Sequence, residues 1–252
     1  MCLIVFAWQP GQAQPLIVAA NRDEFFPRPS QPAAPWPDAE GVIAGRDLQA
    51  GGTWLGIGPD GRFAALTNIR DLDLPQGQHS RGELPVAFLR SQLTPEYFLQ
   101  TLADPLQHYG GFNLLVGNRD ELWHMNSRTQ LISRLQPGIY GVSNADLDTP
   151  WPKLLRAKQA LQEALPEADT QRLFQLLQDS QRPEDAALPQ TGVSLEMERL
   201  LSSVFIATPG YGTRASTVLK VHADGSRELH ERSFGPNGAF LGEVQFKRQA
   251  GD

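Results

Sequence analysis

The 252-residue sequence predicts an α+β domain of two mostly antiparallel sheets covered by helices. Three observations carry this. Strand patterns come as hairpins joined by short turn signals, not in the βαβ alternation of a parallel sheet. Amphipathic helical segments come in pairs between the hairpins. The resulting order is strands, helices, strands, helices, strands. No repeat, low-complexity linker or composition break divides residues 1–252, so one domain is expected.

The first strand pattern is the apolar run Cys2-Leu3-Ile4-Val5-Phe6-Ala7-Trp8. After a turn with Pro10, Gly11 and Pro15, a second apolar run over residues 16–20 closes on Asn21-Arg22-Asp23-Glu24. A hairpin brings the end of the second strand back to Cys2. Prolines 27, 29, 32, 35 and 37 predict an irregular surface loop over residues 27–40, and Gly45-Arg46-Asp47 and Gly51-Gly52 bracket a turn. Residues 53–57 and 62–68 form a second hairpin around Pro59-Asp60-Gly61, ending in the polar residues Thr67, Asn68, Arg70 and Asp71. Two adjacent hairpins thus deliver polar groups from strand ends.

Leu84, Phe88 and Leu89 mark the first helix. Thr94-Pro95-Glu96 caps the second, with Phe98, Leu99 and Leu102 on one face, before Gly110-Gly111 stops it. Strands follow at 112–116, 121–125, 131–135 and 138–143. Thr149-Pro150 reads as the N-cap and first residue of a helix with Leu154, Leu161 and Leu165 inward. Asp169 opens another with Leu173, Leu176 and Leu177, and Ser194 caps a short one over 195–201. The last strands are expected at 203–207, 215–222 and 228–233.

Composition narrows the function. A net charge of −6 argues against a nucleic-acid partner, which needs a basic patch. One cysteine permits no internal disulfide and fits a reducing compartment. No signal-peptide pattern precedes the first strand, and no apolar run nears the roughly 18 residues of a membrane helix. A soluble, cytoplasmic protein without membrane insertion is expected. The histidines at 79, 108, 124, 222 and 230 lack metal-ligand spacing, and His124-Met125 lies in a strand pattern, so no metal or cofactor is assigned.

Cys2 stands where removal of the initiator Met1 would leave one residue bearing both a thiol and a free α-amine. Such an amine, with an ordinary pKa of about 7.7–8.0, can take the thiol's proton, so nucleophile and base become one residue. Most free cysteines are instead small apolar core residues. Further polar clusters occur at Asn21-Arg22-Asp23-Glu24, Thr67-Asn68, Ser143-Asn144 and Tyr211-Gly212-Thr213-Arg214.

The stretches ANRDE, GGTWLGI, GRFAALTN, GVSN followed by DTPWPK, and YGTRASTV resemble the NRDE family, also called the transport and Golgi organisation protein 2 family. Members of that family resemble N-terminal-nucleophile hydrolases, which implies a four-layer αββα sandwich. More distantly the pattern is similar to the choloylglycine hydrolase and penicillin V acylase group. That likeness implies a nucleophile at Cys2 and site residues at Arg22, Asp23, Asn68, Asn144 and Arg214; the group usually separates the arginine from the aspartate, which here are adjacent. In physical terms, Asn68 donors suit an oxyanion, Asp23 and Asn144 suit the α-amine, and Arg22 and Arg214 would lower the thiol pKa. Trp8, Phe25 and Trp54 are core residues or the wall of a pocket.

Two functions follow. One is hydrolysis of an amide or thioester of a small-molecule substrate through Cys2. The other is a binding module for a hydrophobic ligand, because the eukaryotic relatives it resembles are associated with haem and acyl-coenzyme A handling, haem then being a cargo.

Overall fold

The computed structural model describes residues 2–70 and 77–249, so Met1 and the polar Asp71 lie outside the described residues. One antiparallel sheet has the order β10 (Gly138–Val142), β1 (Cys2–Trp8), β2 (Leu16–Phe25), β11 (Tyr211–Val221), β12 (Arg227–Phe234), β13 (Phe240–Arg248). The other runs β3 (Ser30–Pro35), β4 (Ile43–Asp47), β5 (Leu55–Ile57), β6 (Phe63–Asn68), β7 (Phe112–Gly117), β8 (Leu122–Asn126), β9 (Leu131–Arg134), again antiparallel throughout.

Alternation along each strand builds the layers. On β1 and β2, Ile4, Phe6, Trp8, Val18 and Ala20 point between the sheets and meet Leu55, Ile57, Phe63, Ala65 and Leu115. The opposite residues, Leu3, Val5, Ala7, Ile17 and Ala19, pack under α3 (Pro152–Ala164) and α4 (Thr170–Leu176) through Leu154, Leu161 and Phe174. Covered on both faces, β1 has no solvent side, which is why it reads as an unbroken apolar run. On the far side, Ala64, Leu66, Leu114 and Val116 are covered by Phe88 and Leu89 of α1 (Glu83–Arg90) and Phe98 and Leu99 of α2 (Pro95–Gln100). Four layers result, helices outside and two sheets within, as the sequence predicts. Each fully buried phenylalanine contributes on the order of 2–3 kcal/mol of transfer free energy.

Five expectations need correction. Residues 30–35 are a strand despite Pro32 and Pro35, because β3 is a sheet edge, where a missing N–H breaks no ladder. Its partner β4 contains Gly45-Arg46-Asp47, expected only as one bracket of a turn. Residues 203–207 are not a strand: the Phe205 N–H goes to the Asp179 carbonyl and the Val204 carbonyl accepts from Asn21, leaving only an Ala207 bridge to Gly212. β13 is an added edge strand on β12. At α3 the cap is Trp151 with Pro152 as first residue, since a residue before proline avoids helical angles. The caps at Thr94, Asp169 and Ser194 form as expected, Ser194 opening α5 (Leu195–Leu200).

Candidate active site

The register of three strands sets the site. Cys2 opens β1 directly opposite Arg22 on β2, and the next residue, Asp23, faces Thr213 on β11. Opposed residues place their Cβ atoms about 5 Å apart, so the sulfur and the Arg22 stem are neighbours. Both border a cleft of about 770 Å³ that Asp23, Trp54, Asn68 and Arg81 also line.

Arg22 is held on two sides. One guanidinium nitrogen, Nη2, donates to Asp47 Oδ2 at 3.1 Å, and the plane stacks 4.3 Å from the Trp54 ring centroid. Trp54 is pressed in turn onto Gly45, where a Cβ would stand 2.3 Å from the ring, so only glycine fits. Asp47 also accepts from Arg28 Nε at 2.6 Å. Burial alone would raise its pKa, but the Arg28 hydrogen bond, the Ala50 N–H and the Arg22 charge hold the carboxyl below its ordinary range. Arg22 Nη1 is buried in the site with no hydrogen-bond partner among the described residues.

Asp23 is 1% exposed and accepts from Thr213 Oγ1 at 2.7 Å. Burial pushes its pKa up, opposed by the charge of Lys153, the Thr213 hydrogen bond and Arg22. Lys153 itself is buried in the first turn of α3, donates to the Leu201 carbonyl at 2.8 Å, and is driven by burial down to about 8. A polar network runs behind the strand ends. Ser143 Oγ donates to the Cys2 carbonyl at 3.0 Å, and Asn144 Nδ2 donates to the Asn68 carbonyl at 2.8 Å. The Arg70 N–H donates to the Asn144 carbonyl at 2.7 Å. Within the described residues no hydrogen bond ties the Asn68 side-chain amide, which is left available to a ligand.

Cys2, Arg22, Asp23 and Asn68 therefore come together around one cleft. Asn144 does not line it; fully buried, it fixes the backbone that carries Asn68. Arg214 is a correction. It falls in a bulge between Thr213 and Ala215, which takes it out of the ladder. Its guanidinium donates to the carbonyls of Phe25 at 3.0 Å and Arg28 at 2.9 Å, and to Ser30 Oγ at 3.2 Å. Arg214 thus ties down the 25–30 loop and does not line the cleft with Cys2. Burial pushes the Cys2 thiol up and Asp23 and Glu24 reinforce this, while the Arg22 charge opposes it.

Two features escaped the sequence reading, while Trp54, read as core or pocket wall, lines the cleft. Lys153 sits inside the DTPWPK stretch, so a signal existed, but it had no assigned role. Arg81 had none; it reaches the cleft only because the 77–82 and 110–111 segments meet there, Arg81 Nη1 donating to the Gly111 carbonyl at 3.1 Å. Trp8 is core, whereas Phe25 lines the cleft and is largely exposed. Among the described residues no group of histidine, cysteine and carboxylates is arranged to hold a metal, and no helix is long and apolar enough to cross a membrane.

The family model described as Transport and Golgi organisation 2 matches residues 1–236. The Homo sapiens "Transport and Golgi organization protein 2 homolog" is 36% identical over 258 residues, covering 92% of this chain and 93% of its own length. The Drosophila melanogaster "Transport and Golgi organization protein 2" is 30% identical over 267 residues, covering 91% and 90%. Two solved structures share the fold. A Caenorhabditis elegans ortholog of N-acylethanolamine-hydrolyzing acid amidase gives a TM-score of 0.51 at 14% identity, over 86% of this chain and 92% of that one. A mutant conjugated bile acid hydrolase from Clostridium perfringens gives 0.55 at 7%, over 99% and 92%.

Proposed function

We propose that this chain, which belongs to the Transport and Golgi organisation 2 family, is a cysteine N-terminal-nucleophile hydrolase of a small-molecule amide or thioester, with Cys2 as nucleophile after removal of Met1. The observation that carries the reading is the position of Cys2: the first residue of β1, bordering the cleft, opposite Arg22 and within the field of Asp23. The fold it shares with an amidase and a bile acid hydrolase supports the same chemistry.

Clipping Met1 turns the Cys2 nitrogen from an amide into an α-amine with an ordinary pKa of about 7.7–8.0. That amine takes the thiol proton, and the thiolate adds to the carbonyl carbon. The oxyanion accepts from the Asn68 amide, a type of contact worth about 3–4 kcal/mol in the transition state. Collapse breaks the bond to the leaving amine or thiol, which departs with the proton from the Cys2 ammonium and leaves an acyl thioester on Sγ. Water then adds to that carbonyl, giving its proton to the amine, and the acid leaves as the thiol is restored. Asp23, fixed by Thr213, is the counter-charge of the ammonium. The Lys153 charge opposes the upward push of burial on Asp23 and so favours its ionised form.

The lining favours a polar substrate over a hydrophobic cargo. Arg22, Arg28, Arg81, Glu24 and Asp47 all border the cleft, and an apolar ligand would strip water from them without replacing it. The test is a metabolite screen of wild type against Cys2→Ala. Compounds consumed by the wild type alone, by at least about a thousandfold, support the hydrolase. No consumption, with haem or acyl-coenzyme A binding that is indifferent to Cys2→Ser, makes the chain a binding module.

A further inference from the structure

The two sheets end on four edge strands, and these are protected to unequal degrees. β3 carries Pro32 and Pro35, whose missing N–H groups blunt its edge, and β9 has only four residues. β10 is closed by its own loop: the Gly141 N–H donates to Asp148 Oδ1 at 2.8 Å, and the Gly141 carbonyl accepts from the Asp148 N–H at 2.7 Å. β13 differs. It is nine residues long and pairs with β12 on one side. Among the described residues no loop or side chain is hydrogen-bonded to the backbone of its other side.

A free edge adds another strand unless its side chains forbid it. On β13, Glu243, Gln245 and Lys247 share one face, opposite Arg232, His230 and Glu228 of β12. Glu243 lies 2.8 Å from Arg232 Nε and Lys247 Nζ lies 3.1 Å from Glu228, so each row across the two strands pairs unlike charges. Val244 and Phe246 share the other face, only partly buried at the margin of the core between the sheets.

A two-fold axis through Gln245 would lay β13 antiparallel to its own copy with each face preserved. Glu243 then stands opposite Lys247 of the second copy, and the row across the join reads Arg232, Glu243, Lys247, Glu228, with signs alternating at every step. Val244 stands opposite Phe246 of the second copy and covers the margin of the core. Moving the axis by one residue leaves Glu243 and Lys247 without unlike partners. Moving it by two sets one of them against its own copy, which is destabilising. Complementarity of a strand to itself in one register is of use only to a second copy.

We propose that β13 is a dimerisation edge, on which a second copy of this chain adds its own β13 antiparallel about Gln245 and joins the two six-stranded sheets into one. The inference is independent of any chemistry at Cys2. Main-chain hydrogen bonds over residues 242–248 supply the attraction, while the Glu243–Lys247 and Val244–Phe246 pairs fix the register. Such an interface is small, so a dissociation constant on the order of micromolar is expected.

The test reads oligomeric state and register in the intact protein. Sedimentation velocity over about 1–100 µM should approach twice the chain mass at the upper end, as a micromolar dimer requires. Glu243→Lys and Lys247→Glu each set like charges across the axis and should weaken self-association by about tenfold. Mixing the two variants should restore it, because each offers the charge the other lacks; a loss through local misfolding would not recover. In Cys2→Ala protein, Gln245→Cys meets its own copy at the axis, where facing Cα atoms lie about 4.5–5.5 Å apart, within disulfide reach. It should cross-link to a dimer on mild oxidation. Lys247→Cys alone should not, whereas Lys247→Cys mixed with Glu243→Cys should. A chain that stays monomeric at about 100 µM overturns the proposal. So does a dimer that is indifferent to both charge changes, or one in which Gln245→Cys fails to cross-link, because its interface then lies elsewhere.

Discussion

The space between the two sheets has two unlike ends built by the same strands. At one end Trp8 of β1, Leu16 of β2 and Phe63 of β6 join a dry core; at the other these strands finish in Cys2, Arg22 and Asn68 around open space. Hydrophobic burial is non-directional, so the dry end needs volume and little else. The cleft end needs partners, atom by atom: Asp47 for Arg22, Thr213 for Asp23, Asn144 for the backbone of Asn68. The hairpin therefore separates stability from chemistry along one strand length, a division that mutations can break or sharpen.

The largest effect is expected from Phe63→Ala at the dry end, which should cost about 3–5 kcal/mol in urea unfolding. Cys2→Ala at the other end should change stability by less than about 1 kcal/mol while removing hydrolysis. If both variants lose stability equally, the two ends are not distinct.

Asn144→Ala comes next. It removes the donor to the Asn68 carbonyl and should cost about 1–2 kcal/mol. Because Asn68 then loses its mount, kcat should fall with little change in KM. A change confined to stability would show that Asn68 needs no such support.

The boundary between the ends also sets an acid limit. His124 is buried on β8, its Nε2 3.1 Å from Asn113 Oδ1, and burial holds its pKa down to about 4 against an ordinary 6.5. In that window the unfolded chain binds the proton more readily, so this contribution is full above about pH 6.5 and is lost as pH falls through about 4. Denaturation midpoints of His124→Gln, followed from pH 7 to 4, should decline less steeply than those of the wild type. Parallel curves would contradict the assignment.

The smallest effect is expected at Arg214. As a tie for the 25–30 loop its replacement by alanine should cost about 1 kcal/mol or less and leave Cys2 labelling by iodoacetamide within about twofold. A role at the sulfur, as the acylase resemblance implies, would instead slow labelling sharply.

What the sequence made legible follows the same division. The layers were readable because β1, β2 and the helix pairs carry continuous or periodic apolar patterns. Edge elements were not: Pro32 and Pro35 mask β3, and β13 alternates weakly because its outer face meets only solvent. At the site, residues at strand ends could be found because hairpin geometry places them, as with Cys2 opposite Arg22. Arg81 could not, since only the meeting of two loops brings it to the cleft. Arg214 was misplaced because a one-residue bulge, invisible in composition, redirects it.

Hydrolysis through Cys2 depends most on the chain's first peptide bond, since Cys2 can serve as its own base only with a free amine. Intact mass spectrometry of the purified protein reads this directly. The predicted result is a mass lacking Met1, with a single acyl adduct when the protein is mixed with a slowly turned-over thioester and none in Cys2→Ala. A mass that retains Met1 on protein that is nonetheless fully active, or an adduct that survives Cys2→Ala, would contradict it.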